Sequence, residues 1–212
     1  VVVAASGNLG RGFNGEKAYG RIHSPGNSPY AITVGASNTL GTTGRGDDVV
    51  TSFSSRGPTR SFYTDALGIR NFDNVVKPDL VAPGNRLVSY KATGNKVATE
   101  NPNLVDPTIN TDGEIDGMMY MSGTSMSAPV VSGAAALLLQ VNPNLTPNMV
   151  KMLLQYTAQP IPGANMMEQG AGQLNLEGAV RLARSLRSDL AFNNSVLNTS
   201  LVPSGWALPA TT

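Results

Sequence analysis

Gly123-Thr124-Ser125-Met126-Ser127-Ala128-Pro129 opens a run of small and apolar residues that continues to about Gln140. A stretch that is small or apolar on every side predicts a helix enclosed by protein all round, with Ser125 at its mouth. Pro129 fits a place near the helix start, where proline is tolerated, better than one further in. Unpaired backbone N–H groups and the positive end of the helix dipole gather at such an N-terminus. A serine there has part of what a nucleophile needs, namely fixed donors for the oxyanion that its attack creates. It still lacks a base, and no aspartate and histidine stand near it in the sequence.

Outside this segment, short apolar runs closed by Gly, Pro or Ser recur at Val1–Ala5, Ala31–Ala36, Val49–Phe53, Leu80–Ala82 and Leu87–Tyr90. Runs of this kind suit strands buried on both faces, as in a parallel sheet covered by helices. Two more helices are predicted after the first. One starts at Thr146-Pro147, with the hydroxyl as cap, proline at the first helical position, and Met149, Val150, Leu153 and Leu154 forming its apolar face. The other runs from Asn175 to about Leu186, with Leu176, Val180, Ala183 and Leu186 inward. Pro58–Val76 and Lys91–Gly117 read as long irregular stretches, the usual form of surface insertions. After Arg187 the composition turns to Asn, Ser, Thr and Pro with a single Trp206. Residues 1–186 therefore read as one unit and 187–212 as a linker or the start of a further module.

Composition narrows the range of functions. With 212 residues the chain can bury one substantial core. Fifteen basic residues stand against fourteen acidic ones with no Lys/Arg run, which disfavours nucleic acid or an anionic membrane as partner. The absence of cysteine excludes disulfides, thiol catalysis and cysteine-ligated metal. The longest apolar run, Val130 to Leu139, falls short of the ~20 residues of a membrane span, and no signal segment is visible before the first strand.

An isolated Gly-Thr-Ser is more often a helix cap than a nucleophile. Here it follows Ala4-Ala5-Ser6-Gly7-Asn8, Ser28-Pro29-Tyr30-Ala31-Ile32-Thr33-Val34-Gly35-Ala36, Ser52-Phe53-Ser54-Ser55-Arg56-Gly57-Pro58 and Lys77-Pro78-Asp79-Leu80-Val81-Ala82-Pro83-Gly84. In this order the five segments resemble the subtilisin-like serine proteases, from Val1 to about Ala183. The resemblance implies an α/β fold of three layers, a mostly parallel sheet covered by helices, whose N-terminal portion lies outside this chain. It also implies Ser125 as nucleophile and Asn8 as oxyanion donor, with the Ser125 backbone N–H as second donor. Ala5, Ser6, Gly7, Gly123 and Thr124 are implied to line the substrate site.

The family's triad runs aspartate, histidine, serine along the chain, with the first two upstream of the Asn8 strand. The only histidine, His23, follows Asn8. It aligns near the floor of the primary specificity pocket, with a plain loop histidine as the other reading. The expected function is therefore a serine endopeptidase acting on peptide or protein substrates. Its aspartate and histidine would come from an upstream segment or a separate chain, and these residues alone would be nearly inactive. The alternative is a non-catalytic subtilisin-fold component of an assembly, against which the presence of both Ser125 and Asn8 counts. A free-standing esterase using His23 is the weakest reading.

No cofactor is required by this chemistry. Ca²⁺ as a structural ion enters at two places. Asp79 with carbonyls of the Gly26–Ala31 loop matches a cation region of some relatives, the competing reading being a carboxylate paired with Arg56 or Lys77. Asp112, Glu114 and Asp116 offer alternating oxygens but lack EF-hand spacing, so a solvated loop is the favoured reading of that cluster. Secretion is implied by the resemblance alone. Asn144, Asn193 and Asn198 begin glycosylation-type triplets.

Overall fold

The computed structural model describes residues 1–106, 108 and 117–186. Its centre is β2 (Ile32–Asn38), which pairs in parallel with β1 (Val3–Ala5) along one edge and with β6 (Leu80–Pro83) along the other. The register puts Val34 between Ala5 and Leu80. β3 (Val49–Val50) joins antiparallel further along the β1 edge of β2, with Ser37 opposite Val50. Residues 32–37 are all buried, which explains their near-continuous apolar reading.

Helix α2 (Thr124–Val141) packs on β1, β2 and β6. Ile32, Val34 and Leu80 meet Val131, Ala134 and Leu138 in one core, which α3 (Pro147–Thr157) and α5 (Leu176–Ser185) complete with Val150, Leu153, Leu154, Ala179 and Leu182. On the other face of β2, Gly35 lies against Ser54, Pro78 and Val81, so loop segments cover it.

The α3 and α5 expectations agree with the structure. The Thr146 hydroxyl accepts from the Met149 N–H at 3.1 Å, and the Asn175 side chain caps α5 through the Gly178 N–H at 3.0 Å. Ala183 and Leu186 are buried as expected, together with Ala179 and Leu182, whereas Leu176 and Val180 are only partly covered.

Two expectations are corrected. First, α2 is not enclosed on every side: among the described residues Ser132, Gly133, Ala136 and Leu137 are exposed, Leu137 by 42%. The sheet, α3 and α5 cover only one stripe of it. Second, Pro129 is the sixth residue of α2, so it lies past the first turn and leaves the Ser125 carbonyl without the N–H that position would supply. By length and composition alone, α2 is also apolar enough to cross a membrane. Its buried stripe is nevertheless part of the core.

The stretch 58–76 is not wholly irregular. It holds the hairpin β4 (Phe62–Thr64) and β5 (Arg70–Phe72), where Phe62 and Phe72 meet edge to face at 5.6 Å. Arg60 and Arg70 lie over the two rings. The second stretch is flanked by β7 (Leu87–Tyr90) and β9 (Met118–Met121), which pair with each other, and it holds β8 (Val105–Asp106), which also pairs with β9; α1 (Lys96–Glu100) lies between β7 and β8 along the chain. Val49–Phe53 shortens to the two residues of β3. One short helix, α4 (Met166–Gln169), had no place in the sequence reading. Its Asn165–Glu168 capping box supplies local stability. The acidic cluster Asp112, Glu114 and Asp116, the triplets at Asn193 and Asn198, and the 187–212 tail lie outside the described residues.

Candidate active site

β1 ends at Ala5 and its chain direction continues through Ser6, whose N–H donates to the Val34 carbonyl at 2.9 Å. Gly7 then turns with φ +106°, a conformation that L side chains rarely adopt. A Cβ there would also come within 2.9 Å of the Ser55 hydroxyl and 3.1 Å of the His23 ring. This turn presents Asn8 beside the start of α2.

The Asn8 side chain is held by two donors on one atom. Its Oδ1 accepts the Thr124 N–H at 3.0 Å and the Thr124 hydroxyl at 2.9 Å. A backbone N–H can only donate, so the atom facing it must be the amide oxygen, and Nδ2 is left to point elsewhere. The Thr124 hydroxyl in turn accepts the Gly7 N–H at 3.2 Å, which directs its own proton to Asn8. Nδ2 comes within 3.4 Å of where a Cβ on Gly123 would sit, at the entrance of α2.

The backbone of Asn8 is bracketed by Ser55. The Ser55 N–H donates to the Gly7 carbonyl at 2.8 Å, and its hydroxyl accepts the Leu9 N–H at 3.0 Å. Ser55 is fully buried. One residue therefore ties the chain on both sides of Asn8. Behind it, buried Arg56 donates to the Gly10 carbonyl and, at 3.1 Å, to buried Glu168.

Gly123 enters α2 with φ +156°, again unfavourable for a side chain, and its N–H donates to the Gly84 carbonyl at 2.8 Å. Ser127 fixes the next turn by donating to the Ala82 carbonyl at 3.0 Å. The helix mouth is thus attached to the end of β6, and Ser125, on its first turn, is exposed. Ser125, Thr124, Asn8, Gly7, Ala5 and His23 share the lining of one cleft of about 580 Å³. Ser6 is fully buried beneath it and reaches His23 through its carbonyl, which accepts the His23 N–H at 3.0 Å. The His23 ring lies against Gly7. Gly123, buried, stands beside Ser125 at the helix entrance.

Asp79 pairs with Lys77 at 2.6 Å and with Lys151 at 3.1 Å, so the lysine alternative holds and Arg56 goes to Glu168 instead. Its carboxylate also accepts the Thr33 N–H at 2.7 Å. Burial pushes the Glu168 carboxyl up, but Lys17, the Asn165 N–H and Tyr19 together outweigh it and hold the group below its ordinary range. Ser55, Lys151 and Glu168 are the residues that the sequence reading left without a role near the site. Ser55 stood inside a quoted segment; Lys151 and Glu168 carried no signal beyond their position on predicted or unrecognised helices.

A model of the subtilase family matches residues 1–184. The chain is 36% identical over 181 residues to the serine protease AprX of Bacillus subtilis (strain 168), covering 85% of this chain and 35% of AprX. It is 28% identical over 209 residues to the membrane-bound transcription factor site-1 protease of Homo sapiens, covering 97% of this chain and 16% of that protein. Among solved structures it is similar to fervidolysin from Fervidobacterium pennivorans, a keratinolytic enzyme related to subtilisin. That similarity has a TM-score of 0.60 at 28% identity over 85% of this chain and 22% of the other. The self-cleaved protease domain of PatA gives 0.52 at 27% identity over 86% and 49%. The chain thus spans about a third or less of the length of these two curated relatives.

Proposed function

Because the chain belongs to the subtilase family, a family of serine proteases, we propose that it carries the nucleophile and oxyanion site of an endopeptidase. Ser125 attacks the scissile carbonyl carbon, its proton passes to a histidine, and the carbonyl oxygen becomes an oxyanion. The Asn8 amide and the Ser125 N–H receive that charge. Collapse of the intermediate breaks the C–N bond, the proton goes to the leaving amine, and water then releases the acyl group from Ser125.

The observation that carries this reading is the double contact of Thr124 with Asn8 Oδ1. It leaves a rigid, neutral Nδ2 donor in the cleft that Ser125 lines, and a fixed donor stabilises developing charge without reorganising. The catalytic aspartate and histidine are assigned to a segment beyond these 212 residues, in the same protein or another chain. His23 packs on Gly7 and is kept for the wall of the side-chain pocket. The exposed side of α2 fits a surface that such a segment covers. These residues by themselves are expected to be close to inactive. Peptide or protein substrates and secretion follow from the family resemblance. Ca²⁺ as a structural ion at the 112–116 cluster stays the lesser reading beside a solvated loop.

The test uses the full-length protein. It is expected to hydrolyse a peptide carrying a fluorogenic amide, and Ser125→Ala is expected to abolish turnover. Undiminished hydrolysis by Ser125→Ala would refute the assignment.

A further inference from the structure

The segment 23–31 forms one side of the cleft: His23, Ser24 and Pro25 line it beside Ser125. Its far end is held by two ammonium groups. Lys77 Nζ donates to the Ala31 carbonyl at 2.9 Å, and Lys151 Nζ donates to the carbonyls of Pro29 and Ala31 at 3.1 Å each. Both ammoniums also contact Asp79, one at each carboxylate oxygen. Asp79 is in turn fixed to β2 through the Thr33 N–H, and the Thr33 hydroxyl donates to the Gly26 carbonyl at 2.6 Å.

Two cations on one carboxylate exceed what neutralising it requires. Lys77 is 1% exposed, and burial lowers its pKa while Asp79 opposes the shift. An apolar side chain of similar volume would serve packing at least as well as such a buried charge. The surplus charge is directed at loop carbonyls, so its distinctive effect is to set where the loop lies. The distance along the chain is short. The Asn27 N–H returns to the His23 carbonyl at 3.1 Å and the Ser28 N–H to the Pro25 carbonyl at 3.0 Å. These turns couple the anchored end to the cleft face.

We infer that Lys77 and Lys151 are positioning residues for substrate binding, which hold the 23–31 wall of the Ser125 cleft from behind through Asp79 and the Pro29 and Ala31 carbonyls. The inference rests on the endopeptidase reading for its functional consequence. Lys151 sits on α3 and is partly exposed, so Lys151→Met removes one anchor while Lys77 still pairs Asp79. Lys77→Met is the stronger variant and the one at risk of not folding.

The experiment compares full-length wild type with Lys151→Met by hydrogen exchange and by kinetics on peptides varied at the residue before the scissile bond. Loss of charge-assisted bonds is expected to raise exchange in 24–31 about tenfold, with β2 and α2 unchanged. KM should rise several-fold and side-chain preference broaden, with kcat nearly constant. Unchanged exchange in 24–31 would overturn the inference. So would a uniform rise across α2 and β2, or a fall in kcat at constant KM. If wild type hydrolyses no peptide, the endopeptidase reading falls, and exchange in 24–31 still decides whether the anchor exists.

Discussion

Thr124 holds the Asn8 side chain with its N–H and its hydroxyl on the same oxygen, at 3.0 and 2.9 Å, across 116 positions of sequence. Orientation of the Asn8 amide therefore depends on a residue whose own hydroxyl never needs to touch substrate. Thr124→Val removes one of the two donors and keeps the shape. Turnover of the full-length protein is expected to fall about fivefold with KM unchanged, and Thr124→Ser to restore it. Equal kcat for the valine and serine variants would show that the hydroxyl does not orient Asn8.

Asn8 itself is expected to matter more. Asn8→Leu removes the proposed donor while leaving the bracket by Ser55 intact, and kcat should drop ~10²–10³-fold, the value known for the oxyanion-hole asparagine of subtilisin. A change confined to KM would assign Asn8 to ground-state binding instead.

Ser55→Ala tests the bracket. It leaves the Leu9 N–H without its acceptor, at a cost of ~1–3 kcal/mol, and lets the Asn8 backbone shift. The comparison is Leu153→Ala in the core, which should cost ~2–5 kcal/mol and spare kcat of the folded fraction. If Ser55→Ala lowers kcat no more than the core variant, the serine is structural only.

The Glu168 carboxyl provides a pH signature. Its folded pKa lies below the ordinary value of 4.5, so its stabilisation is present above about that pH and disappears as pH falls through the folded value. Glu168→Gln should lower stability at pH 7 by ~3–5 kcal/mol, since Arg56 stays buried beside it. The difference in unfolding midpoint between variant and wild type should narrow below about pH 4.5. A gap constant from pH 7 to pH 3 would remove Glu168 from the acid response.

What was legible in the sequence was what local chemistry decides. Thr146-Pro147 announces α3 because a cap and a fixed φ act within one turn, and Asn175 does the same for α5. The Ser125 and Asn8 segments were recognisable as a pair of motifs, but their contact was not, because it closes over more than a hundred residues. Ser55 is hidden for the same reason: its role appears only when the 52–58 segment meets the 7–9 turn. The enclosure of α2 is less complete than its composition implies, because small residues such as Ser132, Gly133 and Ala136 read alike whether a neighbour covers them or not. The β4–β5 hairpin carries no sequence signal, since its pairing relies on Phe62–Phe72 and two stacked arginines, not on alternating burial. Lys151 gave no sign at all. A lysine on the polar side of an amphipathic helix is ordinary until the loop carbonyls of Pro29 and Ala31 are found beneath it.

The most direct test is covalent. Full-length protein treated with a fluorophosphonate, which mimics the tetrahedral intermediate at an activated serine, is expected to carry one phosphonyl group on Ser125 in the digest peptide mapped by mass spectrometry. Asn8→Leu should react far more slowly and Ser125→Ala not at all. Peptide-hydrolysing protein with an unmodified Ser125, or an adduct on a different serine that accounts for the inhibition, would contradict the account.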